Sequence, residues 1–172
     1  MLPTMLEAVK DLSDYNIYIA GAPSVPPEFY YDFIKQSGIR GVTLTFGYTY
    51  TLLSKSTAAL CTSGTATLET ALFNVPQIVC YKGDTLSYLI ARKLVKVPYI
   101  AIVNLIAEKA VVPELIQQDF NVARLKTELK SILSPGRRRT MLEDYGQLRK
   151  RLDGGNPAKT VAEYIVASLK SS

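Results

Sequence analysis

The chain has 172 residues, with 20 Lys+Arg against 15 Asp+Glu and a net charge of +5. This length suits one domain, or one domain plus an appendage, and a compact chain of this mass buries roughly 70% of its unfolded surface. With 48% hydrophobic and 20% charged residues, disorder and low complexity are excluded. The absence of His excludes imidazole catalysis and His-based zinc sites within the chain. Two cysteines, Cys61 and Cys80, do not make a disulfide framework, and they read as small apolar residues of a reduced, cytoplasmic domain.

The chain opens on a helical pattern, with Leu2, Met5, Leu6, Val9 and Leu12 on one face. No basic-then-apolar export signal precedes it, and the abrupt start reads as a truncation. The longest nearly apolar stretch, Val97 to Ile106, is about half of what spans a bilayer. Asn16–Ala20 predicts a short buried strand, 22–27 a turn-rich loop and Glu28–Gln36 a helix. Strand Gly41–Phe46, short helix Tyr48–Ser56, strand Ala58–Thr62 and helix Gly64–Asn74 follow. Gln77–Tyr81 reads as a continuously apolar strand, Thr85–Val95 as a helix and Tyr99–Val103 as the last strand. Beyond it the pattern gives a short helical turn over Pro113–Gln118 and helices over Asn121–Leu133, Arg137–Leu152 and Ala158–Lys170.

Strands that are apolar throughout, each followed by a helix, predict an α/β fold: a Rossmann-like, doubly wound parallel sheet covered on both faces. In such a sheet ligands bind beyond the carboxyl ends of the strands. Residues 1–133 are expected to form that domain, and residues 134–172 a C-terminal helical extension that caps the sheet or packs on another body.

The strongest local signal is Cys61-Thr62-Ser63-Gly64-Thr65-Ala66-Thr67-Leu68-Glu69, where a buried strand stops, a turn of small residues follows and a helix begins at once. Such a junction presents free backbone N–H groups and the positive end of a helix dipole, both suited to phosphate oxygens. Gly64 permits close approach, Ser63 and Thr65 add hydroxyls, and Glu69 can accept bonds from ribose hydroxyls. The Gly-Lys-Ser/Thr ending of an NTP-hydrolysing loop is absent. The same residues also make an ordinary helix start with an acid in the first turn, and both readings stay open. Asn104 is expected just past a strand end, with Glu114 and Gln117 sharing a helical face; a turn residue and a helix-start residue are the plainer alternatives. Basic clusters at Arg92, Lys93 and Lys96, at Arg137–Arg139 and at Arg149–Arg151 read as solvated helix faces or as anion-attracting surface. No aromatic-plus-basic nucleic-acid motif, carboxylate pair or metal-ligand cluster stands out.

Taken in order, Ser63–Glu69, Val75-Pro76, Val79-Cys80-Tyr81, Leu94–Tyr99, Asn104–Ala107 and Val112–Gln117 resemble the lipid-A-disaccharide synthase family, most specifically from Leu60 to Gln118. The resemblance implies the carboxyl-terminal, nucleotide-binding half of a GT-B glycosyltransferase. That family moves a diacylated glucosamine from UDP to a diacylated glucosamine 1-phosphate, with inversion and release of UDP. On this resemblance Ser63, Gly64 and Thr65 would face the diphosphate, Glu69 the ribose, and Phe46 and Gly47 the uracil through backbone groups. Asn104, Glu114 and Gln117 match positions near the donor and the interdomain cleft. No metal or other cofactor is implied. The catalytic base would lie in an amino-terminal domain outside this chain, as would the first strand and its glycine-rich loop, so the chain alone is expected to bind UDP weakly and to transfer nothing. The resemblance also implies a place in the cytoplasm at the inner-membrane face and no nucleic-acid partner; dimerisation through the C-terminal helices is a further expectation. A stand-alone donor-binding subunit of a two-chain enzyme, a non-catalytic nucleotide-sensing or interaction module and a UDP-sugar epimerase are the competing readings.

Overall fold

A computed structural model describes residues 1–62, 64–83 and 99–153. Its elements are α1 (Leu2–Val9), β1 (Tyr18–Ala20), α2 (Pro27–Ser37), β2 (Thr43–Thr45), α3 (Thr49–Leu53), β3 (Ala59–Thr62), α4 (Ala66–Leu72), β4 (Gln77–Tyr81), α5 (Ile102–Ala107), β5 (Glu114–Ile116), α6 (Val122–Leu133) and α7 (Pro135–Asp153). The expected helix at 85–95, the final helix at 158–170 and Ser63 lie outside the described residues.

Local chemistry sets the element boundaries. Pro27 opens α2 at a position where its missing N–H has no helical acceptor, and Gly38 closes it at φ +67°. The Asn121 side chain accepts a hydrogen bond from the Arg124 N–H at 2.9 Å and so caps α6. Ser134-Pro135-Gly136 ends one helix and starts the next at once: Ser134 closes α6 in an extended conformation, Pro135 takes the first position of α7, and the Ser134 carbonyl accepts from Arg138 N–H at 2.9 Å.

All strand pairs are parallel, in accord with the expected α/β class. They form two groups, β1-β2 and β3-β4-β5. Two expectations fail together: Tyr99–Val103 is not a strand, and Pro113–Gln118 is not a helical turn. Ala101 is the N-cap of α5, and the last strand is β5, paired with β4 through Val79↔Glu114 and Tyr81↔Ile116. A short apolar run fits a buried helix as well as a strand, and the three residues of β5 carry too little pattern to declare themselves.

The core surrounds β4, where Ile78, Val79 and Cys80 are buried. Leu125, Leu129 and Ile132 of α6 close it from one side; Met141, Tyr145 and Leu148 of α7, at helical spacing, join the same cluster. Helix α7 therefore packs on the sheet domain itself. Helix α1 packs on α2 and α6, whereas α4 packs on α5 and α7. The amino-terminal third is thinner: α2 buries none of its residues, and Tyr18, Phe29, Tyr31 and Tyr48 are more than half exposed.

Candidate functional site

Because every strand runs parallel, each sheet has one carboxyl edge, and the expected site residues separate by their distance from it. Gly47 follows β2, Gly64 follows β3 and Gln117 follows β5, with φ of +77°, +132° and +52° respectively. Of the other left-handed residues, Gly38, Asn74 and Glu108 sit at helix ends and Gly41 lies in the turn before β2. Glycine takes such angles freely, but Gln117 holds its angle against a steric penalty. Its backbone N–H donates to the Tyr81 carbonyl at 2.9 Å, extending the ladder by one bond. Its side-chain Nε2 is buried and finds no partner among the described residues. A buried amide donor without an acceptor is destabilising unless something supplies one.

At the β3–α4 junction, Gly64, Thr65 and Ala66 are exposed. The first intrahelical bonds run from Thr67 N–H to Gly64 O at 3.2 Å and from Leu68 N–H to Thr65 O at 3.0 Å. The N–H groups of Thr65 and Ala66 therefore have no backbone acceptor among the described residues. A Cβ on Gly64 would meet open space, so the approach to the backbone is unobstructed there. The hydroxyls of Thr67 and Thr70 turn inward, donating to Gly64 O at 2.8 Å and Ala66 O at 2.7 Å. Glu69 is half-buried in the first turn. Beneath the junction, Thr70 Oγ1 lies 3.4 Å from Cys61 Sγ, and burial raises the Cys61 thiol pKa against that hydrogen bond. Gln77 Nε2 donates to Thr67 O at 2.8 Å and to the Tyr145 hydroxyl at 3.4 Å, tying α4 to β4 and α7.

Phe46 closes the carboxyl end of β1 and β2. A Cβ on Gly21 would lie 2.3 Å from Phe46 Cε1, so the ring rests directly on the Gly21 backbone. Tyr30 meets Phe46 edge to face at 5.8 Å, and its hydroxyl accepts from Ala22 N–H at 2.8 Å. The exposed Gly47 backbone follows immediately.

Asn104 and Glu114 stand elsewhere. Asn104 lies within α5 rather than past a strand, and Glu114 begins β5 while Gln117 follows its end, so the expected shared helical face does not exist. The two residues bind each other instead. The Glu114 carboxylate accepts from the backbone N–H groups of Ile100 at 2.9 Å and Ala101 at 3.0 Å, and from Asn104 Nδ2 at 2.8 Å. Asn104 also pairs with the Val112 backbone through both side-chain atoms, at 2.9 Å each. The carboxylate thus neutralises the start of α5, and the amide fastens that helix to the segment entering β5.

The basic residues of α7 are largely turned to internal use. Arg137 donates to Val111 O at 3.1 Å, Arg138 to Thr57 O at 2.6 Å, Arg149 to Leu72 O, and Arg151 to Ile106 O at 2.9 Å. Leu72 and Ile106 stand at the carbonyl ends of α4 and α5, where a cation is favoured. The sequence pattern marked these arginines as surface charge and gave no sign of those partners. One cation at the carboxyl edge carries no sequence signal: Lys82 is exposed directly after the central strand β4, between the junction and Gln117. Its position became visible only once the strand order was known. Among the described residues no helix is long and apolar enough to cross a membrane.

Comparison with known proteins matches residues 2–167 to the family profile described as lipid-A-disaccharide synthetase. The lipid-A-disaccharide synthase of Syntrophus aciditrophicus is 38% identical over all of this chain and 46% of its own length. That of Nitrosococcus oceani is 41% identical over 70% of the chain and 31% of its own length, and that of Myxococcus xanthus 32% identical over 98% and 45%. The chain thus spans about half the length, or less, of these curated relatives.

Proposed function

The chain belongs to the lipid-A-disaccharide synthetase family, and from that premise we propose that it is the donor-binding half of a UDP-sugar glycosyltransferase. In this reading the whole enzyme transfers a diacylated glucosamine from UDP to a diacylated glucosamine 1-phosphate at the cytoplasmic face of the inner membrane. The diphosphate lies against the start of α4, held by the N–H groups of Thr65 and Ala66 at the positive end of the helix, with Ser63 and Thr65 adding hydroxyls and Lys82 a nearby cation. Glu69 takes the ribose, and the Phe46–Gly47 backbone takes the uracil. The observation that carries the proposal is this junction: two amides without a backbone acceptor among the described residues, beside an open Gly64 at φ +132°, on the same sheet edge as Gln117, whose side-chain amide likewise finds no partner among them.

Such an edge does one kind of work. Fixed N–H donors and a lysine stabilise negative charge as it develops on a departing diphosphate, without reorganising when the bond breaks. Activation of the acceptor hydroxyl falls to a base outside the chain. Asn104 and Glu114 serve as positioning residues that hold α5 against β5.

The test is titration of the isotopically labelled 172-residue chain with UDP, read by amide chemical shifts. Expected are weak, saturable shifts at Gly64, Thr65, Ala66 and the Gln117 side chain, with no sugar transfer. Shifts absent from Gly64 to Glu69 at millimolar UDP, or shifts confined to another face, would refute the assignment.

A further inference from the structure

Helix α7 grips the domain from the edge opposite the candidate site. In a parallel sheet with crossover helices, strand starts and helix ends share one edge, and the carboxyl ends of the strands form the other. Four α7 guanidiniums reach that first edge. Arg137 and Arg138 donate to Val111 O and Thr57 O, just ahead of β5 and β3, while Arg149 and Arg151 donate to Leu72 O and Ile106 O at the ends of α4 and α5. One α7 contact goes further. Tyr145 Oη accepts from Gln77 Nε2 at 3.4 Å, and the same nitrogen donates at 2.8 Å to Thr67 O, in the first turn of α4. The hydroxyls of Thr67 and Thr70 bond to Gly64 O and Ala66 O, within the helix and its lead-in. Among the described residues, Gln77 is thus the one side chain from outside α4 that hydrogen-bonds to its first turn.

This pair is polar in a core that is otherwise largely apolar: Gln77 is 0% exposed and Tyr145 2%. Thr67 O sets the orientation of the Gln77 amide, since the reverse would bring two oxygens within 2.8 Å of each other. Held that way, Gln77 gives its nitrogen to both neighbours, and its Oε1 stays buried with no partner among the described residues. An unmatched buried acceptor is destabilising, and an apolar pair of the same shape would avoid it. What the polar pair supplies instead is direction. Helix α4 has only seven residues, and apolar contacts alone would let so short a rod shift, whereas a hydrogen bond to a first-turn carbonyl fixes both distance and angle.

We propose that Gln77 and Tyr145 are positioning residues for the nucleotide edge. Tyr145, on α7, steadies the Gln77 amide, and Gln77 holds the first turn of α4 so that the Thr65 and Ala66 N–H groups keep one aim. Arg149 fixes the other end of the same helix through Leu72 O, so α7 holds α4 at both ends. The inference rests on the reading of the β3–α4 junction as the diphosphate seat, and it goes beyond that reading by assigning the aim of the amides to a helix anchored at the opposite edge of the sheet. Fixed donors stabilise a developing charge only while they point at it, so a buried pair that never touches the nucleotide governs how well the seat works.

The double variant Gln77→Met/Tyr145→Phe tests this in the 172-residue chain. It removes both polar partners together and keeps their bulk, a change that leaves stability nearly unaltered, so its urea midpoint should match the parent's within error. It should nevertheless bind UDP about tenfold more weakly, because misplaced groups lose their effect steeply with position. Residual dipolar couplings measured without nucleotide should change for the α4 amides and stay as they are for β4. Arg138→Ala is the control on the same helix: it frees Thr57 O, touches nothing in α4 and should leave UDP affinity unchanged. Unaltered UDP affinity in the double variant would overturn the proposal, as would unaltered α4 couplings or an equal loss of affinity in Arg138→Ala. Should the double variant not fold, Tyr145→Phe alone decides by the same couplings and titration, with a smaller loss in the same direction expected. Should the parent show no UDP shifts at Gly64–Glu69, the nucleotide reading falls by itself, and the couplings still decide whether this pair holds α4.

Discussion

Replacing Asn104 by Ala tests the claim that this residue fastens the domain instead of touching substrate. The side chain is 1% exposed and makes three hydrogen bonds: to Val112 O, from Val112 N–H and to Glu114 Oε1. Truncation leaves both Val112 backbone groups unpaired in a place where Val112 itself is 1% exposed. An unsatisfied buried polar group costs about 1–3 kcal/mol, so the pair sets an expected loss of roughly 3–4 kcal/mol. The Glu114 carboxylate keeps its two backbone donors and adds little. For a domain of this size the loss lowers Tm by about 6–16 °C, at about 2–4 °C per kcal/mol. Urea unfolding followed by circular dichroism measures it, with the slope against denaturant unchanged. A loss below about 1 kcal/mol would refute the reasoning, because the knot would then hold nothing that water cannot replace. A variant as stable as the parent that loses its UDP shifts would reverse the assignment and return Asn104 to the binding site.

Three further outcomes follow from named contacts. Burial pushes the Cys80 thiol up to about 12, and it raises the Tyr145 hydroxyl and Cys61 thiol as well. Above about pH 9 the unfolded chain therefore binds fewer protons than the folded one, and stability should fall as pH rises from 9 toward 12; urea midpoints at pH 7.5 and 10 measure this, and Cys80→Ala should flatten the slope. Gly21→Ala places a Cβ 2.3 Å from Phe46 Cε1 and should destabilise by about 1–3 kcal/mol, a loss largely relieved in the Gly21→Ala/Phe46→Ala double variant measured by the same unfolding assay. Arg149→Ala removes the cation from the carbonyl end of α4 and should lower stability by about 0.5–1 kcal/mol, whereas Arg139→Ala, whose one ion pair among the described residues is the exposed one with Glu143 at 3.9 Å, should leave the urea midpoint unchanged within error.

The sequence made the class of fold readable because its strongest signals are collective. Apolar runs at β3 and β4, the helical faces of α6 and α7, and the strand–turn–helix at Thr62–Ala66 each repeat a pattern over several residues. What escaped detection depends on single partners far away in the chain. Residues 99–103 look like a strand because Tyr, Ile, Ala, Ile and Val are apolar, but Glu114 captures the Ile100 and Ala101 amides and diverts them into a helix start. Glu114 in turn looks like a helix-start acid after Pro113, and it does cap a helix, though one whose N-cap, Ala101, lies thirteen residues earlier than its own position.

Strand β5 shows how the domain separates holding from binding. At its first residue, Glu114 and the Asn104 bound to it make five hydrogen bonds between them and to the surrounding backbone. One residue past its end, Gln117 is held at φ +52° with a buried amide unpaired among the described residues. Three residue steps along the strand separate the two, about 10 Å of rise. Strain and an unpaired donor persist where the surroundings over-determine them, and the satisfied knot supplies that constraint at the opposite end. The same division holds for β3, whose amino end is paired to the β4 side through Ala59 while its carboxyl end opens into Gly64 and two amides without a backbone acceptor among the described residues. If the edge binds a nucleotide, loosening the knot should therefore weaken that binding without the knot touching it. Relaxing Gln117 by Gln117→Gly should do the reverse, raising stability by removing a left-handed side chain and a buried unpaired amide while reducing affinity for UDP. A Gln117→Gly chain that is more stable and binds UDP as tightly as its parent would break the link between strain and binding.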